Sequence, residues 1–131
     1  MSTELVTFLS MNGRGKEAIN FYEKHLGATC VFKETYKDNL VSHSVLKLKT
    51  GGTLMINEDP LDNKDYKFGN RQSICVQTSN QEDIRNLYIG LTSDKETQII
   101  QELIEVPFSP LYGICKDKFN IIWQFFTVKA E

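Results

Sequence analysis

The feature that most constrains this chain is an order of elements that occurs twice. Leu5-Val6-Thr7-Phe8-Leu9 reads as a short strand, and a Gly-containing turn, Asn12-Gly13-Arg14-Gly15, follows it. In KEAINFYEKHLGA, residues 16–28, Ala18, Ile19, Tyr22 and Leu26 fall on one helical stripe, while Lys16, Glu17, Glu23 and Lys24 point to water. Gly27 stands where a left-handed residue ends a helix. Three β-prone stretches come next, 29–36, 41–49 and 53–57, separated by Lys37-Asp38-Asn39 and Gly51-Gly52. The second half repeats the order. Residues 73–78 form a strand, and Ser79-Asn80-Gln81-Glu82 has capping-box spacing. A helix with Ile84, Leu87, Tyr88 and Leu91 on one face follows, then strands at 98–105, 111–116 and 121–128. A shift of 66 positions lays Thr7 on Ser73, Ala18 on Ile84 and Tyr22 on Tyr88. The polar stretch EDPLDNKDYKFGNRQ separates the halves, so the reading is module one at 1–58, a linker at 59–72 and module two at 73–131, within a single domain.

Composition excludes several classes of function. A length of 131 residues with 40% hydrophobic and 24% charged residues is that of one globular domain. A net charge of −2, with lysines scattered among acids, offers no phosphate-backbone footprint, so no nucleic-acid partner is expected. No apolar run reaches the ~20 residues of a membrane helix, and MSTELVTFL lacks the basic-then-apolar order of a secretion signal. The expectation is a cytoplasmic protein without a membrane partner. Cys30, Cys75 and Cys115 are odd in number and far apart, and read as reduced, mostly buried thiols.

Asn12-Gly13, Ala18-Ile19-Asn20-Phe21-Tyr22 and Leu26-Gly27 begin an ordered set of motifs. The set continues through His43 to Leu48, Gly51-Gly52-Thr53-Leu54-Met55 and Tyr112-Gly113, and ends in Asp117-Lys118-Phe119-Asn120-Ile121-Ile122-Trp123. In this order and over nearly the whole chain it resembles the vicinal oxygen chelate superfamily, which contains glyoxalases, bleomycin-resistance proteins and extradiol dioxygenases. It is most similar to the PhnB-like branch. That family usually carries glycine where this chain has Asn120, a residue that also accepts left-handed dihedrals. The resemblance implies an α+β fold in which two βαβββ modules form curled mixed sheets around a cup-shaped cavity. It also implies a homodimer.

Period-two counting on those strands places Leu46, Leu48, Leu54, Ile56, Ile74 and Val76 beneath the helices. The same count turns Thr7, His43, Val45, Met55, Asn57, Ser73, Cys75 and Gln124 into the cavity. Phe8, Phe21, Tyr22, Phe32, Phe119, Trp123, Phe125 and Phe126 read mostly as core by spacing, while Tyr36, Phe108, Tyr112 and again Trp123 stand at strand ends or in loops, where a rim would be; core is the favoured reading for any one of them, and a rim for the group. The resulting ligand-binding set is Thr7, His43, Met55, Asn57, Ser73, Tyr112, Trp123 and Gln124, suited to a flat, partly polar small molecule.

Relatives hold a divalent ion with His and Glu on the first and last strands of each module. The matching positions here are Thr7, about Met55, Ser73 and Gln124, whose neutral groups cannot hold such an ion against hydration. The expectation is therefore no metal, no cofactor and a small-molecule ligand. The alternative is a metal-dependent lyase, isomerase or dioxygenase using His43, Glu34 or Glu58. A quinone methyltransferase lacks support, since no Gly-rich loop of the adenosyl-binding kind follows a strand. An interaction module without ligand is a further alternative. Asp117 reads as the residue that fixes the last tight turn.

Overall fold

The computed structural model describes residues 3–49, 51–58, 67 and 69–129. The chain divides into two compact units, residues 1–67 and 68–131. Most of the linker expected at 59–72 lies outside the described residues.

In the first unit the order is β1 (Thr7–Ser10), α1 (Gly15–Leu26), β2 (Thr29–Thr35), β3 (Val41–Lys47) and β4 (Thr53–Asn57). The strands form one mixed sheet in the order β1-β4-β3-β2, with β1 parallel to β4 and the other pairs antiparallel. α1 stops at Gly27, whose φ of 64° suits a residue without a Cβ, and the Ala28 N–H donates back to the Tyr22 carbonyl at 3.3 Å. Its apolar stripe is buried through Ala18, Ile19, Tyr22 and Leu26, joined by Phe21. Beneath it lie Leu46, Leu54 and Ile56, all buried. Each such side chain contributes about 1.5–3 kcal/mol on removal from water, so this seam holds the helix on the sheet.

The second unit repeats the pattern with β5 (Ile74–Thr78), α2 (Gln81–Thr92), β6 (Gln98–Val106), β7 (Ser109–Lys116) and β8 (Ile122–Thr127). Its sheet order is β5-β8-β7-β6, with β5 parallel to β8. The expected α+β fold of two βαβββ modules is the observed one. The cap of α2 sits one residue later than its sequence signature. Asn80, not Ser79, is the N-cap, and its Oδ1 accepts from the Asp83 N–H at 3.1 Å. Ile84, Leu87, Tyr88 and Leu91 are buried against the sheet, where Tyr88 meets Phe125 edge to face at 5.5 Å.

Both outermost hairpins are irregular. The β2–β3 ladder slips between Cys30 and Phe32 and again between Glu34 and Thr35, and the β6–β7 ladder slips three times between Ile99 and Val106.

The single-offset repeat holds for the helices but not for the strands. The pairs Thr7 with Leu54 and Ile74 with Trp123, each joining the first strand of a module to a buried residue of its last, are equivalent. The offset is therefore 67 from β1 to β5 and 69 from β4 to β8, because the connecting loops differ in length.

Candidate functional site

Each sheet has one side covered by its helix and one side without it, here called the open side. Register decides which residues share a side, because directly paired residues project the same way. On β1, Thr7 and Leu9 pair with the helix-facing Leu54 and Ile56, so they lie on the helix side. The expectation for Thr7 is thus corrected by one residue: Phe8 and Ser10 occupy the open side, paired with Met55 and Asn57. Met55 pairs onward with Val45, and Val45 with Phe32, while His43 pairs with Glu34. His43, Met55 and Asn57 therefore share the open side of module one. There the His43 ring lies 5.9 Å from Phe8, stacked, and 5.9 Å from Phe32, tilted. The Ser10 hydroxyl donates to Asn57 Oδ1 at 2.9 Å. Phe8 and Phe32, read as core from spacing, are 50% and 46% exposed.

In module two, Cys75 pairs with Gln124 and Gln77 with Phe126, while Ile74 and Val76 pair with the buried Trp123 and Phe125. Ser73, two residues before Cys75, falls on the open side, and its Oγ accepts from Gln124 Nε2 at 2.8 Å. The Tyr112 hydroxyl donates to Gln124 Oε1. Tyr112, Gln124 and Ser73 thus form one hydrogen-bonded row. Beside it stand three aromatic rings: Phe108 stacks on Phe126 at 5.7 Å, and Tyr112 meets both edge on, at 5.1 and 6.1 Å. Burial, then the nearby Cys75 thiol, raises the Tyr112 pKa, so its phenol keeps the donated proton at neutral pH.

Trp123, which spacing offers both as core and as a member of the ligand-binding rim, is a core residue at 2% exposure and leaves the ligand-binding set. Its Nε1–H donates to Asp117 Oδ2 at 2.9 Å, while Asp117 Oδ1 accepts from the Phe119 and Ile121 N–H groups at 2.8 and 3.1 Å. Asn120 takes the left-handed turn position with φ of 68°. The D-K-F-x-x-x-W motif is a turn whose carboxylate seats the tryptophan.

The cysteines differ from the expectation of mostly buried thiols. All three are free, but Cys75 is exposed and Cys30 intermediate, and only Cys115 is buried. Burial, then the Asp117 charge, pushes the Cys115 thiol from 9.0 up to about 12. At pH 8, iodoacetamide should label Cys75 in the native protein and Cys115 only after denaturation, a difference read directly by peptide mass spectrometry. Native labelling of Cys115 would contradict its burial. The folded chain also keeps the Cys115 proton more tightly than the unfolded chain does. Its contribution is therefore intact below pH 9 and is lost as pH climbs from 9 towards 12.

The donors available for a divalent ion are few. Met55, Ser73 and Gln124 supply a thioether, a hydroxyl and an amide, the last two already bonded to each other, and Thr7 faces the helix. These do not fit a catalytic ion, which takes imidazole and carboxylate. Of the carboxylates considered as alternative ligands, Glu58 is buried at 2% exposure, with Oε2 accepting the Val41 N–H at 2.6 Å. It packs against Gly15 at the start of α1, where a Cβ would stand 2.5 Å from its Cγ. Glu58 is a structural clasp between helix and sheet. Among the described residues no three His, Cys, Asp or Glu side chains converge.

The family model of the glyoxalase/bleomycin resistance protein/dioxygenase superfamily matches residues 5–125. The chain belongs to this superfamily. The superfamily's fold recurs in a PhnB protein from Bacillus cereus, 26% identical, with a TM-score of 0.76 over 95% of this chain and 99% of that one. Protein PA1353 from Pseudomonas aeruginosa superposes with a TM-score of 0.80 at 20% identity, covering 98% and 100% of the two chains. A glyoxylase/bleomycin resistance protein/dioxygenase domain from Frankia has a TM-score of 0.76 at 14% identity over 98% and 99%. No curated protein matches the sequence. Among the described residues, no helix of this superfamily member is long and apolar enough to cross a membrane.

Proposed function

We infer that this member of the glyoxalase/bleomycin-resistance superfamily binds flat, partly polar small molecules on the open sides of its sheets, without a metal ion, and works as a homodimer. The observation that carries the reading is the open side of module two. There the Phe108–Phe126–Tyr112 rings adjoin the Tyr112–Gln124–Ser73 row. The rings supply a surface for a planar body at low entropic cost, and the row supplies neutral donors and acceptors that fix its orientation. The dimer is what the family resemblance implies, and sedimentation of the purified chain tests it.

A panel of planar aryl amides, phenols, aryl carbonyls and glycopeptides, screened by thermal unfolding of dialysed protein, tests the binding. A compound at 100 times its Kd stabilises by about 2.7 kcal/mol, which for this length raises Tm by roughly 10 °C. Gln124→Leu and Phe126→Ala should each remove most of that shift. A screen in which no compound raises Tm, or a shift that survives in both variants, would sink the reading.

The alternative of a metal-dependent lyase, isomerase or dioxygenase has the paired Glu34 and His43 as its starting point. Two donors on adjacent strands are fewer than the three protein ligands of a catalytic zinc site. Stoichiometric transition metal in protein purified without chelator would favour that alternative.

A further inference from the structure

The open sides of the two modules share one register but carry opposite polarity. In module one, the row across the sheet that begins at Phe8 runs Phe8, Met55, Val45, Phe32 and is wholly apolar. The next row along the strands holds Ser10 and Asn57, then His43 and Glu34, and is wholly polar. The equivalent rows of module two are Cys75, Gln124, Ile114, Gln101 and then Gln77, Phe126, Tyr112, Ile104. Hydrogen-bonding groups and aromatics have exchanged rows. Neither row of module two has a carboxylate, whereas module one has Glu34, an exposed residue. The two open sides thus present different chemistry.

We propose that the open side of module one is a ligand site of its own that takes an arylalkylamine, its ring lying on the Phe8–Met55–Val45–Phe32 row and its ammonium directed to Glu34. This rests on the reading of the chain as a binder of flat small molecules. The half-exposed rings of Phe8 and Phe32 stand on either side of His43, which bridges them at 5.9 Å each. That makes an apolar surface with π faces at both ends, and π faces attract an ammonium group. Charge complementarity selects the amine over the acid. Glu34 is the sole carboxylate of the two rows. Lys47, the cation nearest along β3, lies one row beyond the apolar one on the opposite side from Glu34, and its Nζ donates to Thr53 Oγ1 at 2.7 Å. His43 also faces the site, with Ser10 and Asn57 bonded to each other beside it.

The full chain labelled with 13C at methionine and isoleucine methyl groups provides the test, because Met55 lies within the apolar row of module one and Ile114 within the open side of module two. Met11, buried, serves as a control. The probes are phenethylamine, phenylacetate and neutral phenylacetamide. Phenethylamine should move the Met55 methyl with a Kd lower than that of phenylacetate by on the order of tenfold. Glu34→Lys, at an exposed position, should reverse the preference, and Phe32→Ala should remove the response to both. Ile114 should respond to phenylacetamide and be indifferent to Glu34→Lys. A Met55 response that ignores probe charge or survives Glu34→Lys unchanged overturns the proposal, as does a Met55 shift that follows protein concentration without probe, since a second copy of the chain would then occupy this side. Response at Ile114 with silence at Met55 sinks this inference alone. Silence at both sinks the small-molecule reading beneath it as well.

Discussion

Asp117→Ala should destabilise the chain by about 3–5 kcal/mol, the largest effect of any single substitution discussed. The carboxylate is 2% exposed and accepts three N–H groups, those of Phe119, Ile121 and the Trp123 indole. Alanine leaves those donors without their acceptor, at about 1–3 kcal/mol for each one that stays buried and unmatched. Backbone bonds from Asp117 N–H to the Ile121 carbonyl and from Asn120 N–H to the Asp117 carbonyl hold the turn without the side chain, so the loss is not total. Urea unfolding followed by fluorescence suits the measurement, because Trp123 is the single tryptophan and sits at the site of change. Asp117→Asn keeps one oxygen for the turn but puts an amide where one acceptor was, and should fall between the two. A loss below about 1 kcal/mol for alanine would show that the carboxylate does not organise the turn.

Gly15→Ala should cost about 2–3 kcal/mol, although alanine is the better helix former. The new methyl would lie 2.5 Å from Glu58 Cγ, 2.7 Å from Cδ and 2.8 Å from Oε2. Relief requires the buried carboxylate to move, which breaks its 2.6 Å bond with the Val41 N–H and forces the start of α1 away from the sheet. Thermal unfolding should register a drop of roughly 10 °C. The decisive control is the same change in a Glu58→Ala background. There the obstructing atoms are absent and Gly15→Ala should cost little, a coupling that a double-mutant cycle isolates. Additive costs would mean that the two residues do not touch in solution.

These two residues illustrate what could be read from the chain alone. Asp117 was legible as a turn former from its setting in K-D-K-F, because short polar side chains favour turns by a local mechanism. Its partner Trp123, six residues on, was not, since nothing in spacing tells a rim aromatic from a buried one whose indole has found a carboxylate. The elements themselves were legible because their hydrophobic periods are clean, as in Ala18, Tyr22 and Leu26 or Ile84, Tyr88 and Leu91. Side assignment failed at β1 for a physical reason. Leu5-Val6-Thr7-Phe8-Leu9 is apolar at nearly every position, so it has no alternation to read, and a one-residue error reverses every side chain. On β3 and β4 the helix-facing Leu46, Leu54 and Ile56 anchor a count by two that gave His43, Met55 and Asn57 the opposite side, where the register places them. The aromatic cluster at Phe108, Tyr112 and Phe126 was half visible: Phe108 and Tyr112 stood out at a strand end, but Phe126 was indistinguishable from its buried neighbour Phe125 until the ladder with Tyr112 was known.

The slips in the outer ladders bear on how the protein behaves when concentrated. A regular strand at the margin of a sheet offers an unbroken line of N–H and C=O groups on which a foreign strand can grow into a fibril. β2 and β6 interrupt that line with extra residues that bend the backbone, and at the other margins β1 and β5 run for only four and five residues. Straightening β2 by deleting the surplus Val31 would remove such a guard, and the predicted penalty is colloidal: a chain that still folds but forms aggregates rich in intermolecular β-structure.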